Sequence, residues 1–442
     1  MEQCYQLSKD WVVRSDQYAL VPYSLYNIHT EKELTINRSV FNLLSYLENR
    51  GHTVQELGNY FGLEPSEAAR IVRSIADTFP TVLEEGSVVR HYSILPFRGA
   101  SPVVPLYNAP KSVEILLTEY CNLACRHCVH SCSKKSSSAS LSASQWISIF
   151  KDLEQNRVTR AVITGGEIFT HPGIDSIVAA LPNLRIRFFL LTNAMLIDEK
   201  RAELLKAPNV VLSISLDGGD AESHDFLRGK GAFAVLGRNL DLLTKYGVSK
   251  YLSMTIHARN YDQLEAMVRY AIEKECRSAN FILLDPVGRA SQNSDIHLNR
   301  EQRKYCKEEV RRLVDKYSRV LPIVLLDPSG GTAGAVGSTD PEFAITCTGT
   351  ISHMAINPLG DAYPCVYAFG MEELKAGNLL QTPLNVLWSN SPEWNVLRGG
   401  IRMKDLHICN TCKLKATCLL KNCRIRALKY NGDLYRRPNC IA

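Results

Sequence analysis

The stretch Val113-Glu-Ile-Leu-Leu117-Thr-Glu-Tyr-Cys121-Asn-Leu-Ala-Cys125-Arg-His-Cys128 joins a short apolar run to three closely spaced cysteines. The run is typical of a buried strand, and the C-x3-C-x2-C spacing places three thiols directly after it. A cube of four irons has four corners, so three thiolates leave one iron open for a small ligand. An open coordination position is typical of a metal site that performs chemistry. We therefore predict a catalytic iron–sulfur site at these cysteines, although a zinc knuckle or a redox dithiol is the alternative.

Apolar runs and helical patterns alternate downstream of this stretch. Such repetition predicts a parallel sheet with right-handed crossovers, here an α/β fold with a partial (β/α)6 TIM barrel over residues 111–325. Active sites of parallel barrels lie at the carboxyl ends of strands, where the cysteine triplet falls. The predicted strands are Val113–Leu117, Ala161–Thr164, Arg187–Thr192, Val210–Ser215, Tyr251–Ile256 and Phe281–Leu284, with helices such as Ser142–Leu153, Glu199–Leu205 and Tyr261–Glu275 between them.

The first ninety-eight residues predict a separate winged-helix-like α+β domain, and residues 99–110, rich in Gly and Pro, predict a linker. Capping signals at Asn37 and at Thr53 with Glu56 mark two helices, and a third is predicted over Pro65–Thr78. The short strands predicted before these helices are Tyr18–Pro22, Leu25–Thr30 and Glu33–Ile36.

Composition and cysteine usage limit the classes of protein to which the chain can belong. The chain has 442 residues, 45% of them hydrophobic, a net charge of +6 and fourteen cysteines. This length predicts two or three domains. Without a signal peptide or an apolar stretch long enough to span a membrane, we expect a cytoplasmic protein with no membrane partner. In that setting clustered cysteines favour metal binding over disulfides. Residues 326–442, where hydrophobic periodicity is weak, are expected to need bound metal ions or clusters to stabilise their fold.

The cysteine triplet closely resembles the signature of the radical S-adenosylmethionine (SAM) enzymes. In that family SAM binds the open iron of a [4Fe-4S] cluster through its amino and carboxylate groups, and reduction then yields a 5′-deoxyadenosyl radical. The sequence Gly165-Gly166-Glu167 after the second predicted strand is similar to the motif that holds the SAM amino group. Paired glycines permit close backbone approach, and a carboxylate accepts from an ammonium group, although such a motif alone is also a common turn.

Three further segments resemble family motifs. Ser215 and Asp217, after the fourth predicted strand, resemble residues that contact the ribose and carboxylate region of SAM; a polar strand end is the alternative. The segments His224–Gly229 and Pro286–Arg289 recur in relatives of this kind, but the resemblance assigns them no role.

The C-terminal cysteines resemble the SPASM domain, which carries two auxiliary iron–sulfur clusters; structural zinc is the alternative. The spacing between Cys418 and Cys423 holds four residues where the family usually has three. Only three cysteine ligands can be identified for the auxiliary cluster expected to lie nearer SAM. We therefore hypothesise that one iron of this cluster is open and that a substrate thiolate occupies it; closure by Asp, water or Cys306 is the alternative. The resemblance implies Cys409, Cys412, Cys418 and Cys440 as ligands of the farther cluster and Cys347, Cys365 and Cys423 as ligands of the nearer one.

The N-terminal domain resembles the PqqD-like element that binds the leader of a ribosomal precursor peptide by strand addition, which we place at the edge Ser24–His29. A winged helix that binds DNA is the alternative. Its third helix carries two arginines among Glu64, Glu67 and Asp77, so it has no strongly basic face and we expect no nucleic-acid partner.

The whole chain resembles radical SAM/SPASM maturases of ribosomally synthesised peptides, and Thr164–Pro172 is most like the sactipeptide- or ranthipeptide-forming branch. The resemblance implies an oxidoreductase that installs a cysteine thioether in a precursor peptide, with a reductant such as flavodoxin or ferredoxin. Carbon–carbon cross-linking, another peptide oxidation, or residue oxidation in a protein partner, as in sulfatase maturases, is the alternative. From a different class, a non-catalytic zinc and nucleic-acid binder also fits the cysteines.

Overall fold

A computed structural model describes residues 3–86, 88–92, 106–137, 139–327, 342, 344–413 and 423–436. The residues before 87 form two small antiparallel sheets and three helices. The strands are β1 (Cys4–Leu7), β2 (Trp11–Ser15), β3 (Tyr23–Asn27), β4 (Glu33–Thr35), β5 (His52–Thr53) and β6 (Leu83–Glu85), and the helices are α1 (Arg38–Tyr46), α2 (Val54–Phe61) and α3 (Pro65–Thr78).

The three helices lie where the sequence predicts them, and two of them begin at the predicted capping residues. Asn37 accepts a hydrogen bond from the Val40 amide at 2.9 Å, and Thr53 and Glu56 form a reciprocal capping box. The strand prediction is partly wrong. Tyr18–Pro22 is a loop closed by a 2.8 Å bond from the Asp16 amide to the Pro22 carbonyl, and β1 and β2 were not predicted because four or five residues give too little periodicity.

The sheet order β2-β3-β4 corrects one expectation. The predicted docking edge, Ser24–His29, falls mostly on β3, which is paired on both sides and cannot accept another strand. The true edges of this sheet are β2 and β4. These strands and helices pack around their own apolar core, which includes Leu7, Val13, Leu25 and Leu44.

A ten-stranded sheet in the order β13-β12-β11-β10-β9-β8-β7-β15-β16-β17 organises the rest of the chain. Strands β7 to β13 and β15 run parallel, as in a partial barrel, and β16 and β17 add antiparallel. Its strands are β7 (Ser112–Leu116), β8 (Arg160–Thr164), β9 (Arg187–Thr192), β10 (Val210–Ser215), β11 (Lys250–Ile256), β12 (Ala279–Leu283), β13 (Ile323–Leu326), β15 (His353–Ile356), β16 (Asp361–Tyr363) and β17 (Gly377–Asn378).

Helices connect these strands, and a two-stranded sheet of β14 (Ala344–Thr346) and β18 (Arg398–Arg402) lies apart from them. No helix within the described ranges combines the length and apolarity needed to cross a membrane. The helices are α4 (Ala143–Gln155), α5 (Ile174–Ala180), α6 (Glu199–Leu204), α7 (Ala221–Arg228), α8 (Ala232–Lys245), α9 (Leu264–Glu273), α10 (Arg300–Tyr317), α11 (Thr348–Ile351), α12 (Leu384–Asn390) and α13 (Arg424–Asn431).

Two expectations about this part of the chain need correction. The sheet has two parallel strands, β13 and β15, beyond the six predicted. The C-terminal segment also does not depend on inorganic groups alone, because Met354, Ile356, Trp388 and Trp394 are fully buried in the same core as the barrel strands. The weak periodicity of this segment reflects its short strands and not a lack of apolar packing.

The N-terminal sheets and helices dock on the amino ends of the barrel strands. Glu48, 1% exposed, pairs with Arg157 just before β8 at 2.6 Å and with Arg185 just before β9 at 2.9 Å. Both arginines also donate to β2, to the carbonyls of Val13 and Trp11. The docking surface therefore lies at the end of the barrel opposite the cysteine triplet.

Candidate functional site

The cysteine triplet forms one wall of a cavity of about 240 Å³ at the carboxyl ends of the barrel strands. Cys121 and Cys125 are 7% and 8% exposed, and Cys128 is half-buried. The facing walls come from the ends of β8 to β12, as the fold of a parallel barrel requires. These walls include Thr164, Leu191, Ser213, Ser215, Ser253, Thr255 and Ile282.

Arg289 clamps the loop that carries the cysteines. Its guanidinium donates 2.8 Å hydrogen bonds to the carbonyls of Cys125, Ser131 and Cys132. The preceding Gly288 has a φ of 58°, and a Cβ there would stand 2.2 Å from the Val129 carbonyl. The segment Pro286–Arg289, which the sequence left without a role, thus holds the cysteine loop in place.

The paired glycines before Glu167 serve backbone packing. A Cβ on Gly166 would lie 2.2 Å from the Tyr120 carbonyl, and one on Gly165 would lie 2.7 Å from the Thr118 carbonyl. The Gly166 amide donates to the Thr118 carbonyl at 2.6 Å. These glycines therefore permit the close approach of the loop leading to Cys121.

We expect Gly166→Ala to displace this loop, because a methyl group cannot be accommodated against the Tyr120 carbonyl. Overpacking of this kind costs about 1–3 kcal/mol. The check is iron content after anaerobic reconstitution together with hydrogen exchange of the cysteine loop. The control is Gly237→Ala on α8, where the new Cβ meets only the Tyr270 hydroxyl at 3.4 Å. Equal iron content and loop protection in both variants would contradict the expectation.

Glu167 is fixed at the cavity wall by three hydrogen bonds. Its carboxylate accepts from the Thr192 hydroxyl at 2.7 Å and from the amides of Asn193 and Phe169 at 2.8 and 3.1 Å. Burial raises its pKa, and these hydrogen bonds oppose that shift. The side chain is 1% exposed and lines the cavity, so one fixed carboxylate faces the space beside the cysteines.

Ser215 lines the cavity, but Asp217 is fully buried behind it. The Asp217 carboxylate accepts from Arg228 Nε at 2.6 Å and from the Thr255 amide at 2.9 Å. Burial alone would raise its pKa, but the charge of Arg228, the neighbouring His127 and His224 and the Thr255 amide together outweigh burial, and the pKa is lowered. Asp217 thus acts on the cavity through Arg228, whose guanidinium Nη1 lies 4.0 Å from the Cys125 sulfur.

Arg228 is a functional candidate that the sequence did not single out. It ends α7 within the segment His224–Gly229, and it places a fixed cation on the cavity wall. His127, in the cysteine loop, lies 3.4 Å from Arg228 and 3.5 Å from Asp217. Burial lowers the His127 pKa to about 4, so its ring is neutral at pH 7. The recurring segment was the signal that could have found this group.

The donor set of the cavity fits an iron–sulfur cluster. Burial raises the pKa of Cys121 to about 12, so its thiolate form needs the compensating charge of a metal. A hydrogen bond from Cys132 lowers the pKa of Cys128 to about 6. Thiolates are the ligands of iron–sulfur clusters, and among the described residues no group of three His, Cys, Asp or Glu side chains converges as a single-ion site.

A second thiol set lies in the C-terminal region. Cys347 precedes α11, Cys365 follows β16 and Cys423 precedes α13, and the first two pack beside one apolar cluster. Burial raises the pKa of Cys347 to about 12 and that of Cys365 well above its ordinary value; Cys423 adds to both shifts, and Cys347 adds to that of Cys365. The structure therefore brings together the cysteines predicted for the nearer auxiliary cluster.

The other cysteines are placed differently. Cys409 is buried in a separate apolar cluster and accepts, through its carbonyl, from the amide of exposed Cys412 at 3.3 Å. Cys418 and Cys440 lie outside the described residues. Cys306, considered as a fourth ligand of the nearer set, is on α10 in the barrel core, in a different cluster of side chains.

A polar bridge ties the second thiol set to the barrel. Asp285, just after β12, accepts a 2.9 Å hydrogen bond from the Tyr367 hydroxyl and pairs with Arg426. Tyr367 and Arg426 come two and three residues after Cys365 and Cys423. His130 of the cysteine loop also packs near the Phe369 ring. The second set is thus held over the carboxyl end of the barrel, beside the first cavity.

Comparison with protein families gives two matches. Residues 115–271 match the radical SAM superfamily, and residues 347–413 match an iron–sulfur cluster-binding domain named SPASM. The first range contains the cysteine triplet and the cavity walls from β8 to β11. The second contains Cys347, Cys365, Cys409 and Cys412.

Curated relatives cover most of the chain. The AdoMet-dependent heme synthase of Methanosarcina barkeri is 26% identical over 77% of this chain and 98% of its own length. The subtilosin biosynthesis protein AlbA of Bacillus subtilis is 26% identical over 75% and 71%. The mycofactocin maturase MftC of Mycobacterium tuberculosis is 30% identical over 70% and 78%. These names cover different chemistry, so the relationship establishes the family and not the substrate.

Among solved structures, Streptococcus suis SuiB bound to precursor peptide SuiA superposes with a TM-score of 0.74 at 18% identity. That match covers 99% of this chain and 100% of SuiB, so the fold is shared from end to end. The family matches and the thiol-lined cavity fit a [4Fe-4S] cluster with SAM, accompanied by auxiliary iron–sulfur clusters. The chain belongs to the radical SAM superfamily and carries its SPASM domain in the C-terminal region.

Proposed function

We propose that this enzyme is a peptide maturase that binds the leader of a ribosomal precursor and cross-links its core through a cysteine thioether. The observation that carries the proposal is the pair of neighbouring thiol sets, one in the SAM-type cavity and one held beside it by Asp285. Relatives named for bacteriocin biosynthesis and mycofactocin maturation, and the end-to-end fold match to a precursor-bound enzyme, support the peptide assignment.

The cavity residues divide the binding of SAM among them. Cys121, Cys125 and Cys128 hold the cluster, which together with bound SAM supplies a 5′-deoxyadenosyl radical. The fixed Glu167 carboxylate accepts from the SAM ammonium group, and the Arg228 guanidinium attracts its carboxylate. Ser215 contacts the ribose. Asp217 is a positioning residue that holds Arg228, rather than the direct contact that the resemblance implied.

The thioether follows from the composition of the second set. Cys347, Cys365 and Cys423 supply three thiolates, so a substrate cysteine sulfur completes the set and stands next to the radical site. Holding the two reacting atoms at neighbouring positions provides the proximity that such bond formation needs. Cys409 and Cys412, with Cys418 and Cys440, are proposed as ligands of the farther cluster, and a flavodoxin or ferredoxin as the electron donor.

The leader is proposed to add to β4. The outer edge of β2 is occupied, because its Trp11 and Val13 carbonyls accept from Arg185 and Arg157. Within the described residues no strand pairs with the outer edge of β4. The Asn27 amide donates to the Lys32 carbonyl. This bond sets a register in which the backbone amide and carbonyl of Leu34 point toward β3. The amides and carbonyls of Glu33 and Thr35 therefore point outward, free for an added strand.

We expect Thr35→Pro to weaken leader binding about five- to tenfold while leaving the fold intact. The proline removes one outward amide without touching the β3–β4 bonds, and proline is tolerated on an exposed edge. The measurement is fluorescence anisotropy of a labelled leader peptide from the precursor reading frame beside the gene. Thr35→Ala is the matched control, since it keeps the amide. Equal affinities for both variants would move the docking site elsewhere.

The overall test is anaerobic reconstitution with iron, sulfide and SAM, followed by reduction in the presence of that precursor. The proposal expects 5′-deoxyadenosine and a peptide that has lost two hydrogens per cross-link, with the link at a cysteine. A product whose link survives replacement of every core cysteine would identify carbon–carbon cross-linking and reject the thioether. Failure to form any 5′-deoxyadenosine would reject the enzyme assignment itself.

A further inference from the structure

Glu114 is a carboxylate inside the barrel that no step described so far uses. It lies on β7 between Val113 and Ile115, both fully buried against the outer helices. Because side chains alternate along a strand, Glu114 faces the opposite, concave side of the sheet. Two residues further on, Leu116 pairs with Thr164 of the cavity wall. Glu114 therefore lies roughly 7 Å below the rim of the SAM cavity, on the same face.

The sheet register also places Glu114 beside the second thiol set. Glu114 pairs with Ala355 on β15, and Ala355 pairs with Tyr363 on β16. Cys365 comes two residues after Tyr363, just beyond the end of β16. Burial raises the pKa values of Cys365 and Tyr367, and the charge of Glu114 contributes to both shifts, which confirms that the carboxylate is near.

The Glu114 carboxylate has no hydrogen-bond partner among the described residues. Among the described residues no donor comes within hydrogen-bond distance, and the ring nitrogen His353 Nε2 lies 3.9 Å away. By contrast, Glu167 and Asp217 each accept hydrogen bonds from their surroundings. A carboxylate deep in a fold without a donor is costly to keep, and such groups call for a functional explanation. Its side chain keeps 27% accessibility, so a substrate group can reach the carboxylate.

We propose that Glu114 is the catalytic base that takes the proton from the substrate cysteine thiol. The inference rests on the proposed function. The peptide carbon gives a hydrogen atom to the 5′-deoxyadenosyl radical and becomes a carbon radical. The thiol gives its proton to the Glu114 carboxylate, and the sulfur forms the new carbon–sulfur bond. One electron remains, and an oxidised auxiliary iron–sulfur cluster accepts it. Atoms and charge then balance, since each thioether releases one proton and one electron.

The surroundings suit this role. Burial raises the pKa of Glu114 to about 7, which matches a base that works near neutrality. The titratable groups that face it are His353 on β15 and Cys365 and Tyr367 after β16, and Arg160 on β8 acts on His353. Burial lowers the His353 pKa to about 4, so His353 stays neutral at pH 7 and leaves the carboxylate without a fixed counter-ion.

The test compares Glu114→Gln and Glu114→Asp with Glu301→Gln, an exposed residue at the start of α10. We expect Glu114→Gln to keep its iron, its cluster EPR signals and 5′-deoxyadenosine formation, while cross-linked peptide falls about 100-fold at pH 7. Raising the pH toward the ordinary thiol pKa of about 8.5 should restore product, because the substrate then ionises unaided. Glu114→Asp should retain an intermediate yield. An unchanged yield and pH profile in Glu114→Gln would overturn the proposal.

An infrared titration separates this inference from the proposed function. In the wild-type protein without substrate, a protonated carboxyl band should disappear as the pH rises through about 7, and Glu114→Gln should lack it. If the wild-type enzyme makes 5′-deoxyadenosine but no thioether, the proposed function fails. If thioether forms and the band is absent from the wild type, only the role of Glu114 fails.

Discussion

Replacing Cys121, Cys125 and Cys128 together by alanine should abolish both SAM cleavage and peptide modification. These thiols form one wall of the cavity, and the remaining wall offers carboxylate, hydroxyl and guanidinium groups but only one further thiol, Cys132. Without thiolates a four-iron cluster has no ligands to hold it, so the loss should be complete rather than partial. The measurements are iron and sulfide content, the EPR signal of the reduced protein, and 5′-deoxyadenosine release.

The matched control is Cys276→Ala, which removes a buried thiol that lies outside both thiol sets. It should keep full iron content at a small cost in stability. In the triple variant the iron bound by the C-terminal cysteines should persist, which shows that the chain has folded. Modified peptide recovered from the triple variant would overturn the assignment of the first cavity. Loss of all iron would instead point to a folding defect.

The sequence was most predictive where spacing alone carries the chemistry. The C-x3-C-x2-C triplet falls after the first barrel strand, as expected, because a strand end and its loop are local features. The helix caps at Asn37 and Thr53 are local as well, and both are formed. The six predicted strands are present with small shifts at their ends. Local patterns of this kind need no knowledge of distant contacts.

The errors arise where distant parts of the chain meet. The segment Ser24–His29 was expected at an edge, because nothing in its own sequence reveals that β2 pairs with Ser24 to Asn27 from the other side. Asp217 was expected in the cavity, and only its pairing with Arg228, eleven residues later, moves it behind the wall. Glu114 looked like one polar residue in an apolar strand, and its significance depends on the register with β15 and β16.

Replacing Glu48 by glutamine should cause the largest loss of stability among charge-removing substitutions at the docking surface. Glu48 is 1% exposed and faces both Arg157 and Arg185, which are 8% and 7% exposed. Glutamine keeps the shape but leaves two buried cations without a counter-charge. Removing one partner of a buried ion pair costs about 3–5 kcal/mol. We expect this loss in the midpoint of urea unfolding, with earlier proteolysis between the N-terminal helices and the barrel.

A control variant and the pH dependence of stability both test whether the loss comes from the buried ion pair. The control Glu199→Gln removes an exposed partner of Lys245 and should change stability by about 0.5 kcal/mol or less. Burial alone would raise the pKa of Glu48, but the two arginines outweigh it and the folded pKa is lowered. The stabilisation is therefore present above the unfolded pKa of about 4.3 and is lost as the pH falls through the folded value. The glutamine variant should lack that acid-dependent loss. An unchanged unfolding midpoint would mean that Glu48 does not hold the N-terminal strands and helices to the barrel.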